Sequence, residues 1–530
     1  MFDGDPATDA LRRAARNKAA RWPSPKDEVN RLVPEAWPAL SPRFTLKQTD
    51  TVFTIGSCFA RNIERYLDQF GLDVPMMRFA LPPEEMIEAR PQAIMNKYTP
   101  PSIFQELERT AELLDATEEE RKARFMDVLL DVEGGGYIDL ELAGQTPVPL
   151  ERGLQRREQV FQLFRNAFTA DTVVITLGLI ECWWDTEREK YVHPMPPTKE
   201  LSRRKGRFQF KQLRFAEAYD YIRKTVELIE AKGKPGVRVL MTTSPVPLSA
   251  TFTDQDVIIA NLYSKSMLRT VAGEIYRNYQ TVDYFPSFEN VMMTRSPVVW
   301  AEDLVHVTDA FVGKIVDNLL RHYLPDASSD QQAMGRAVAL LRMREFPAAA
   351  EIFAGLKPRT ARIDALHALA RLESGEAAAL ADLRKAGPKA ELQGQECLLV
   401  YRRLGRGQAW KEGVKVIENA LAAGQVGQTE RLDALLRLAR MRTMLKDTAG
   451  VGKALAEAEA IAPRRMSVLR SLAQHAMQMG NAEDAVKYLT RIIKSPRFKT
   501  LPPEAAKRMR AAKMIWNKKL EAAGKPMVDA

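Results

Sequence analysis

Phe53-Thr54-Ile55-Gly56-Ser57-Cys58-Phe59-Ala60 decides the fold of the first half of the chain. The run Thr51–Ile55 is short, continuous and apolar, as a buried parallel strand is. A glycine follows, then two side chains that can act as nucleophiles, then a helix expected from about Arg61 to Phe70 and ended by Gly71. Glycine permits the sharp turn. The helix N-terminus offers free backbone N–H groups and a partial positive charge, which lower a thiol pKa and stabilise an oxyanion. The alternative is purely structural, a strand–helix turn with a buried cysteine and a helix-capping serine.

Outward from this unit, similar strands are expected at Thr172–Leu177, Val237–Thr242 and Thr281–Tyr284. Helical stretches lie between them at Gln155–Ala170, Arg214–Lys232 and Val257–Arg277. The alternation predicts an α/β domain, a parallel sheet with helices on both faces, and ligands beyond the carboxyl ends of its strands. Tyr191–Arg207, with three prolines and the run Arg203-Arg204-Lys205, reads as an irregular loop over the site. Residues 1–45 read as an extended, proline-rich arm with one short helix near Ala7–Ala20. Residues 46–325 form the sheet domain and 326–334 a small, polar linker. Residues 335–530 are rich in alanine and leucine, with helix pairs recurring at Ala337–Pro358, Leu398–Ala423, Leu438–Pro463 and His475–Pro496. In the last pair Ala476, Gly480, Ala485 and Pro496 occupy the small-residue and proline positions of a tetratricopeptide repeat. The rear region therefore resembles an all-α tetratricopeptide-like solenoid, in which stacked neighbours bury the face that one pair cannot.

With 530 residues, several domains are expected. Three cysteines, Cys58, Cys182 and Cys397, are far apart, so neither a disulfide framework nor a CxxC zinc pair is implied. No stretch has signal-peptide character and none approaches about 18 consecutive apolar residues, so a cytoplasmic location is expected. The net charge of +10 is uneven: residues 331–530 hold 36 lysines and arginines against 20 acids, the remainder 42 against 48. The basic excess peaks at Lys487, Arg491, Lys494, Arg497, Lys499, Lys507, Arg508, Arg510, Lys513, Lys518 and Lys519. An acidic protein or an anionic glycan fits this surface. Nucleic acid is disfavoured because aromatics for base stacking are not interleaved. The alternative is a solvated helical face.

A second motif, Trp300-Ala301-Glu302-Asp303-Leu304-Val305-His306, follows the last expected strand. Asp303 stands three residues before His306, a spacing that lets a carboxylate orient one imidazole nitrogen while the other meets a nucleophile. Together with Asn96-Lys97-Tyr98-Thr99, Thr176-Leu177-Gly178-Leu179-Ile180-Glu181 and Ser244-Pro245-Val246-Pro247, the two motifs resemble the GSCFA family over roughly residues 45–325. The resemblance implies kinship with SGNH (GDSL-like) hydrolases and their flavodoxin-like three-layer fold. Asp303 and His306 match the catalytic DxxH of those enzymes. Laying Gly56 on their nucleophile turn makes Cys58 the nucleophile; a slip of one residue makes it Ser57. Gly178 resembles the oxyanion-hole glycine of that superfamily. The asparagine that should follow is absent, and Asn96 is the expected substitute. Glu181 and Trp183 are candidates for a site carboxylate over a sugar platform, with a strand-end carboxylate over core tryptophans as the alternative. No P-loop, dinucleotide motif or histidine metal spacing occurs, so no metal and no resident cofactor are expected, with acyl-coenzyme A open as a donor.

The expected activity is acyl ester hydrolysis or O-acyl transfer on a carbohydrate or polysaccharide precursor. Its rival is a glycan-binding domain without turnover, coupled to a repeat module that recruits a partner protein.

Overall fold

The computed structural model describes residues 4–28, 30–81, 85, 91–143, 146–295, 299–324, 330–342, 344–392, 394–424, 426, 428–463, 465–495, 498 and 503–523. The chain divides into two compact units, the first built mainly from residues before 333 and the second from Ala333 onward.

The first unit contains α1 (Ala7–Arg16), β1 (Val52–Gly56), α2 (Cys58–Gln69), α3 (Pro100–Glu112), α4 (Glu118–Phe125), β2 (Leu129–Asp131), β3 (Tyr137–Asp139) and α5 (Leu150–Phe164). There follow β4 (Thr172–Leu177), β5 (Glu181–Asp185), β6 (Lys190–Val192), α6 (Thr198–Arg203), β7 (Phe208–Gln212), α7 (Phe215–Lys232), β8 (Arg238–Thr243), α8 (Val257–Asn278), β9 (Val282–Tyr284), α9 (Ser287–Met293) and α10 (Asp309–Tyr323). The main sheet has the order β1-β4-β8-β9, all parallel. Every residue of β1 and β4 is buried, which is why these strands read as continuous apolar runs. On the outer edge of β1, Thr51 forms a single parallel bridge with Asp73, and the Val52 N–H donates to the Asp73 carbonyl. The stretch after α2 thus lies beside β1 as the rudiment of a further strand.

The strands lie within a residue of their expected positions, but three differences matter. The helix after the turn begins at Cys58, three residues earlier than expected, because Ser57 caps it: its Oγ accepts from the Phe59 N–H at 3.3 Å. The stretch expected as an irregular loop, Tyr191–Arg207, begins in β6 and then runs through turns and α6 to β7, so it connects two strands of a regular antiparallel sheet, β6-β5-β7, with Trp183 opposite both Val192 and Phe210. Cross-strand aromatic pairing stabilises it. Its basic run is pinned to the fold, Arg203 and Arg204 reaching Asp131 at 2.5 and 2.6 Å. The N-terminal arm is docked rather than loose: Ala36 N–H donates to Thr294 Oγ1 at 2.8 Å and Asn290 Nδ2 donates to the Ala36 carbonyl at 2.7 Å.

The second unit is helical throughout its described residues. It runs α11 (Asp330–Arg342), α12 (Phe346–Gly355), α13 (Ala361–Glu373), α14 (Ala379–Ala386), α15 (Gly394–Arg406), α16 (Trp410–Ala422), α17 (Gln428–Met444), α18 (Thr448–Ile461), α19 (Met466–Gln478), α20 (Ala482–Lys494) and α21 (Pro503–Ala522). Successive helices pack in pairs, α13 with α14 through α19 with α20. In the α19–α20 pair Ala476 and Ala485 are buried, and Gly480 turns the chain with φ +73°. Of the expected linker, residues 326–329 lie outside the described residues and the remainder opens α11; Pro496, Arg497 and Lys499 also lie outside them.

Gly56 joins the sheet to the site. It has φ +139°, and a Cβ there would stand 2.2 Å from both the carbonyl oxygen and Oγ1 of Thr176. Gly56→Ala is therefore expected to cost about 3 kcal/mol or more. Gly355→Ala, where a Cβ meets nothing within 4 Å, serves as control and should leave stability within about 0.5 kcal/mol. Urea unfolding followed by tryptophan fluorescence measures both.

Candidate active site

The turn after β1 is held from three sides. The Ser57 N–H donates to Thr176 Oγ1 at 2.9 Å, tying it to β4. The Lys97 N–H donates to the Gly56 carbonyl at 2.7 Å. At Gly178 a Cβ would stand 2.8 Å from the Tyr98 carbonyl oxygen and 3.3 Å from Ser57 Cβ. Gly178 is thus the gap that lets the segment Asn96–Tyr98 and the turn after β1 meet at the end of β4.

Behind that segment lies a cluster of six buried charges. Lys97 Nζ contacts Glu106 at 2.5 Å and donates to the Glu141 carbonyl at 2.7 Å. Arg157 meets Glu106 at 2.7 Å, Asp139 at 2.6 Å and Glu141 at 3.2 Å, and Arg109 meets Glu141 at 2.5 Å. Three cations balance three carboxylates. Burial opposes ionisation of Glu106, but Arg157, Lys97 and Arg109 outweigh it and hold the carboxyl below its ordinary range.

Ser57 and Cys58 have different surroundings. Ser57 is 2% exposed, its Oγ capping α2 and lying 3.4 Å from Thr176 Oγ1. Cys58, a thiol outside any disulfide and the first residue of α2, is half-buried. Two buried cations feel its charge. Arg61, one turn along α2, pairs with Glu64 at 3.0 Å; burial pushes its pKa down against the pull of Glu64, Tyr98 and Cys58. Lys265 on α8 is 1% exposed and donates to the Gly178 carbonyl at 2.8 Å. Burial pushes its amine down to about 7, and attraction to Cys58 opposes the shift.

Asp303 and His306 form the expected pair. Asp303 Oδ2 contacts His306 Nδ1 at 2.6 Å, and Oδ1 accepts the backbone N–H groups of Val305 and His306 at 3.0 and 2.9 Å. Those bonds, the His306 N–H first, hold the Asp303 carboxyl well below its usual range. The turn closes on itself through Ala301 N–H to the His306 carbonyl at 2.8 Å, with Leu304 at φ +56°. The pair faces solvent, the His306 side chain being 64% exposed. Nδ1 is occupied, so Nε2 is the nitrogen offered to a reaction.

The other expected site residues take structural roles. The Gly178 N–H donates to the Tyr98 carbonyl at 3.1 Å, so it is committed within the protein and is not an open oxyanion donor. Asn96 is buried, its Nδ2 donating to the Tyr98 hydroxyl at 2.9 Å and its Oδ1 without a hydrogen-bond partner. Glu181 accepts from the Thr251 hydroxyl at 2.6 Å and the Phe252 N–H at 2.9 Å, fastening a loop to β5 rather than standing free. Trp183 packs edge-on against Phe210 and Phe252, with centroids 5.7 and 4.9 Å away. Among the described residues no group of three or more His, Cys, Asp or Glu is placed to hold a metal ion.

Arg61, Lys265 and Tyr98 escaped the sequence reading, as did His193, a buried imidazole whose ring lies 4.9 Å from that of Tyr98. A signal existed for two of them. Lys265 falls at the helical spacing of Leu268, Ala272 and Ile275, all buried, and a lysine on a buried stripe calls for a reason. Arg61 and Glu64 are likewise charges on the inner face of α2.

No curated protein matches the chain. Among solved structures, the crystal structure of the APC/C hetero-tetramer Cut9-Hcn1 matches 56% of this chain and 52% of that chain, at 12% identity and a TM-score of 0.28. At that score the likeness carries no argument. The family comparison does, because the matched span, residues 51–319, holds both the strand–turn–helix unit and the Asp303–His306 turn. The chain belongs to the GSCFA family.

Proposed function

We propose that the first unit is an acyl esterase or O-acyltransferase, acting on a carbohydrate or polysaccharide precursor through an acyl-thioester on Cys58. The observation that carries this reading is the setting of Cys58, a partly accessible thiol at a helix N-terminus whose charge acts on two buried basic groups, Arg61 and Lys265. Such a setting favours thiolate, and the thiolate is the nucleophile. Ser57 is buried and occupied as the helix cap, so Cys58 is the nucleophile of choice. Asp303 orients His306, whose Nε2 serves as acid for the departing oxygen and as base for water or an acceptor hydroxyl. Acyl-coenzyme A fits the same chemistry as donor. An SGNH-type, flavodoxin-like arrangement is consistent with the strand order once the Asp73 bridge is counted beside β1, since the turn then lies where the strand order reverses.

The binding-module reading draws on one observation, the outward-facing His306 bonded to Asp303. Turnover separates the two readings. A wild type that cleaves p-nitrophenyl acetate or an O-acetylated oligosaccharide, and that loses about 10²–10⁴ of its rate in His306→Ala, supports the enzyme. Retained oligosaccharide binding without cleavage supports the module.

Thiol chemistry tests the nucleophile directly. Burial pushes the Cys182 and Cys397 thiols up to about 12, so only Cys58 should react quickly with iodoacetamide in the folded protein. Mass spectrometry is expected to find one fast adduct, on Cys58, and none in Cys58→Ala. A fast adduct on Cys182 or Cys397 would reverse the assignment.

The second unit we read as a docking module for an acidic protein or an anionic glycan. Lys487, Lys494, Lys507, Arg508, Arg510, Lys518 and Lys519 are exposed, whereas Arg491 is tied to Glu459 at 2.5 Å and Lys513 is buried. Binding of the full chain to polyglutamate or dextran sulfate should fade between about 0.1 and 1 M salt, as the Debye length falls from about 10 to 3 Å. It should also weaken when Lys507, Arg508 and Arg510 are changed to Glu. Binding that ignores both changes would leave these side chains as a solvated face.

A further inference from the structure

The acyl-transfer scheme uses Cys58, Asp303 and His306 and leaves one buried titratable group unassigned. Lys265 lies on the inner stripe of α8, and its hydrogen bond runs to the Gly178 carbonyl at the end of β4, beside the nucleophile turn. Among the described residues no carboxylate pairs with it. A buried ammonium without a counter-ion is costly, so such an amine either gives up its proton or faces an anion. The carbonyl that Lys265 holds belongs to Gly178, which packs against Ser57, the residue before Cys58, and the attraction of a Cys58 thiolate opposes the effect of burial on Lys265. Among the described residues, the groups shown to act on Lys265 are the Gly178 carbonyl at the end of β4, by a hydrogen bond, and Cys58 of α2, by its charge. Arg61 also acts on Cys58 but is paired with Glu64. Arg269, one turn further along α8, is taken by Glu289 at 2.5 Å.

We propose that Lys265 takes the proton of the Cys58 thiol, so that the nucleophile is a cysteine–lysine ion pair inside the protein and the solvent-facing Asp303–His306 pair serves the oxygens. This inference rests on the acyl-transfer reading and assigns one more residue to it. The thiol S–H bond breaks and its proton moves to the neutral Lys265 amine, giving thiolate and ammonium. The thiolate sulfur bonds to the ester carbonyl carbon, the C–O bond breaks, and the departing oxygen takes a proton from the His306 imidazolium. Water or an acceptor hydroxyl then gives a proton back to His306, and its oxygen bonds to the thioester carbon. The C–S bond breaks and returns the thiolate to its place beside the Lys265 ammonium. Every proton and electron pair is accounted for, and no further reactant is needed.

The test is the pH profile of iodoacetamide alkylation at Cys58, measured on the full chain between pH ~5 and ~10. In wild type the midpoint should lie well below the free-thiol value of about 8.5. Lys265→Met should raise it by at least about one pH unit and slow alkylation at pH 7 about tenfold or more. Lys265→Gln can still donate to the Gly178 carbonyl. It should show the same shift, and it decides the matter if the methionine variant does not fold. Lys265→Arg, which keeps a positive charge beside the thiol, should retain the low midpoint, because the ion pair needs the charge at this position and the ammonium holds its proton through the rest of the cycle. Wild-type profiles in both the methionine and glutamine variants would overturn the proposal. Alkylation does not depend on any substrate, so the two ideas fail separately. A shifted midpoint without ester cleavage by wild type removes acyl transfer and keeps the pair, and cleavage with unshifted profiles does the reverse.

Discussion

Lys97 is the residue on which the site depends. Its ammonium lies in the buried six-charge cluster with Glu106, Arg109, Asp139, Glu141 and Arg157, while its backbone N–H holds the Gly56 carbonyl. Desolvating six charges is expensive, and their attraction compensates only when every partner is in place. The cluster therefore tolerates one arrangement of α3, β3 and α5, and through Lys97 that arrangement sets the turn that carries Ser57 and Cys58. The site's geometry is fixed from behind by charge and from beside by the contact of Gly178 with Tyr98 and Ser57.

The electrostatics of the turn follow from the same frame. The N-terminus of α2 and the buried Arg61 and Lys265 all favour negative charge at Cys58. Glu64 tempers Arg61, and a carbonyl rather than a carboxylate holds Lys265. The excess positive charge at this point favours the ionised form of the thiol that begins α2.

The main sheet was legible because β1 and β4 are buried throughout, and β8 beyond its first residue, so that each spells a run of apolar and β-branched residues ending at a breaker. Gly56 was legible as a turn, and the Asp303–His306 pair was legible because its spacing is local. The start of α2 was missed by one turn, since a serine cap looks like part of the loop until its hydroxyl is seen on the Phe59 N–H. The antiparallel sheet of β5, β6 and β7 hid among prolines and charges: its strands are three to five residues long, and its pairing is non-local. Glu181 and Gly178 stood at the right places in the chain but were already bonded to Thr251, Phe252 and Tyr98, which no spacing reveals. Lys265 lies 207 positions from Cys58 in the sequence and reaches the end of β4 only when α8 packs on the sheet.

The turn that carries His306 makes nearly all of its bonds to itself. Asp303 grips the backbone of Val305 and His306 as well as the ring, and Ala301 closes the loop onto the His306 carbonyl. The imidazole's tautomer and orientation are thus written into about six consecutive residues. They do not depend on how far that segment stands from the thiol. Such a part behaves as a cassette: wherever the segment rests, it presents the same nitrogen to its surroundings.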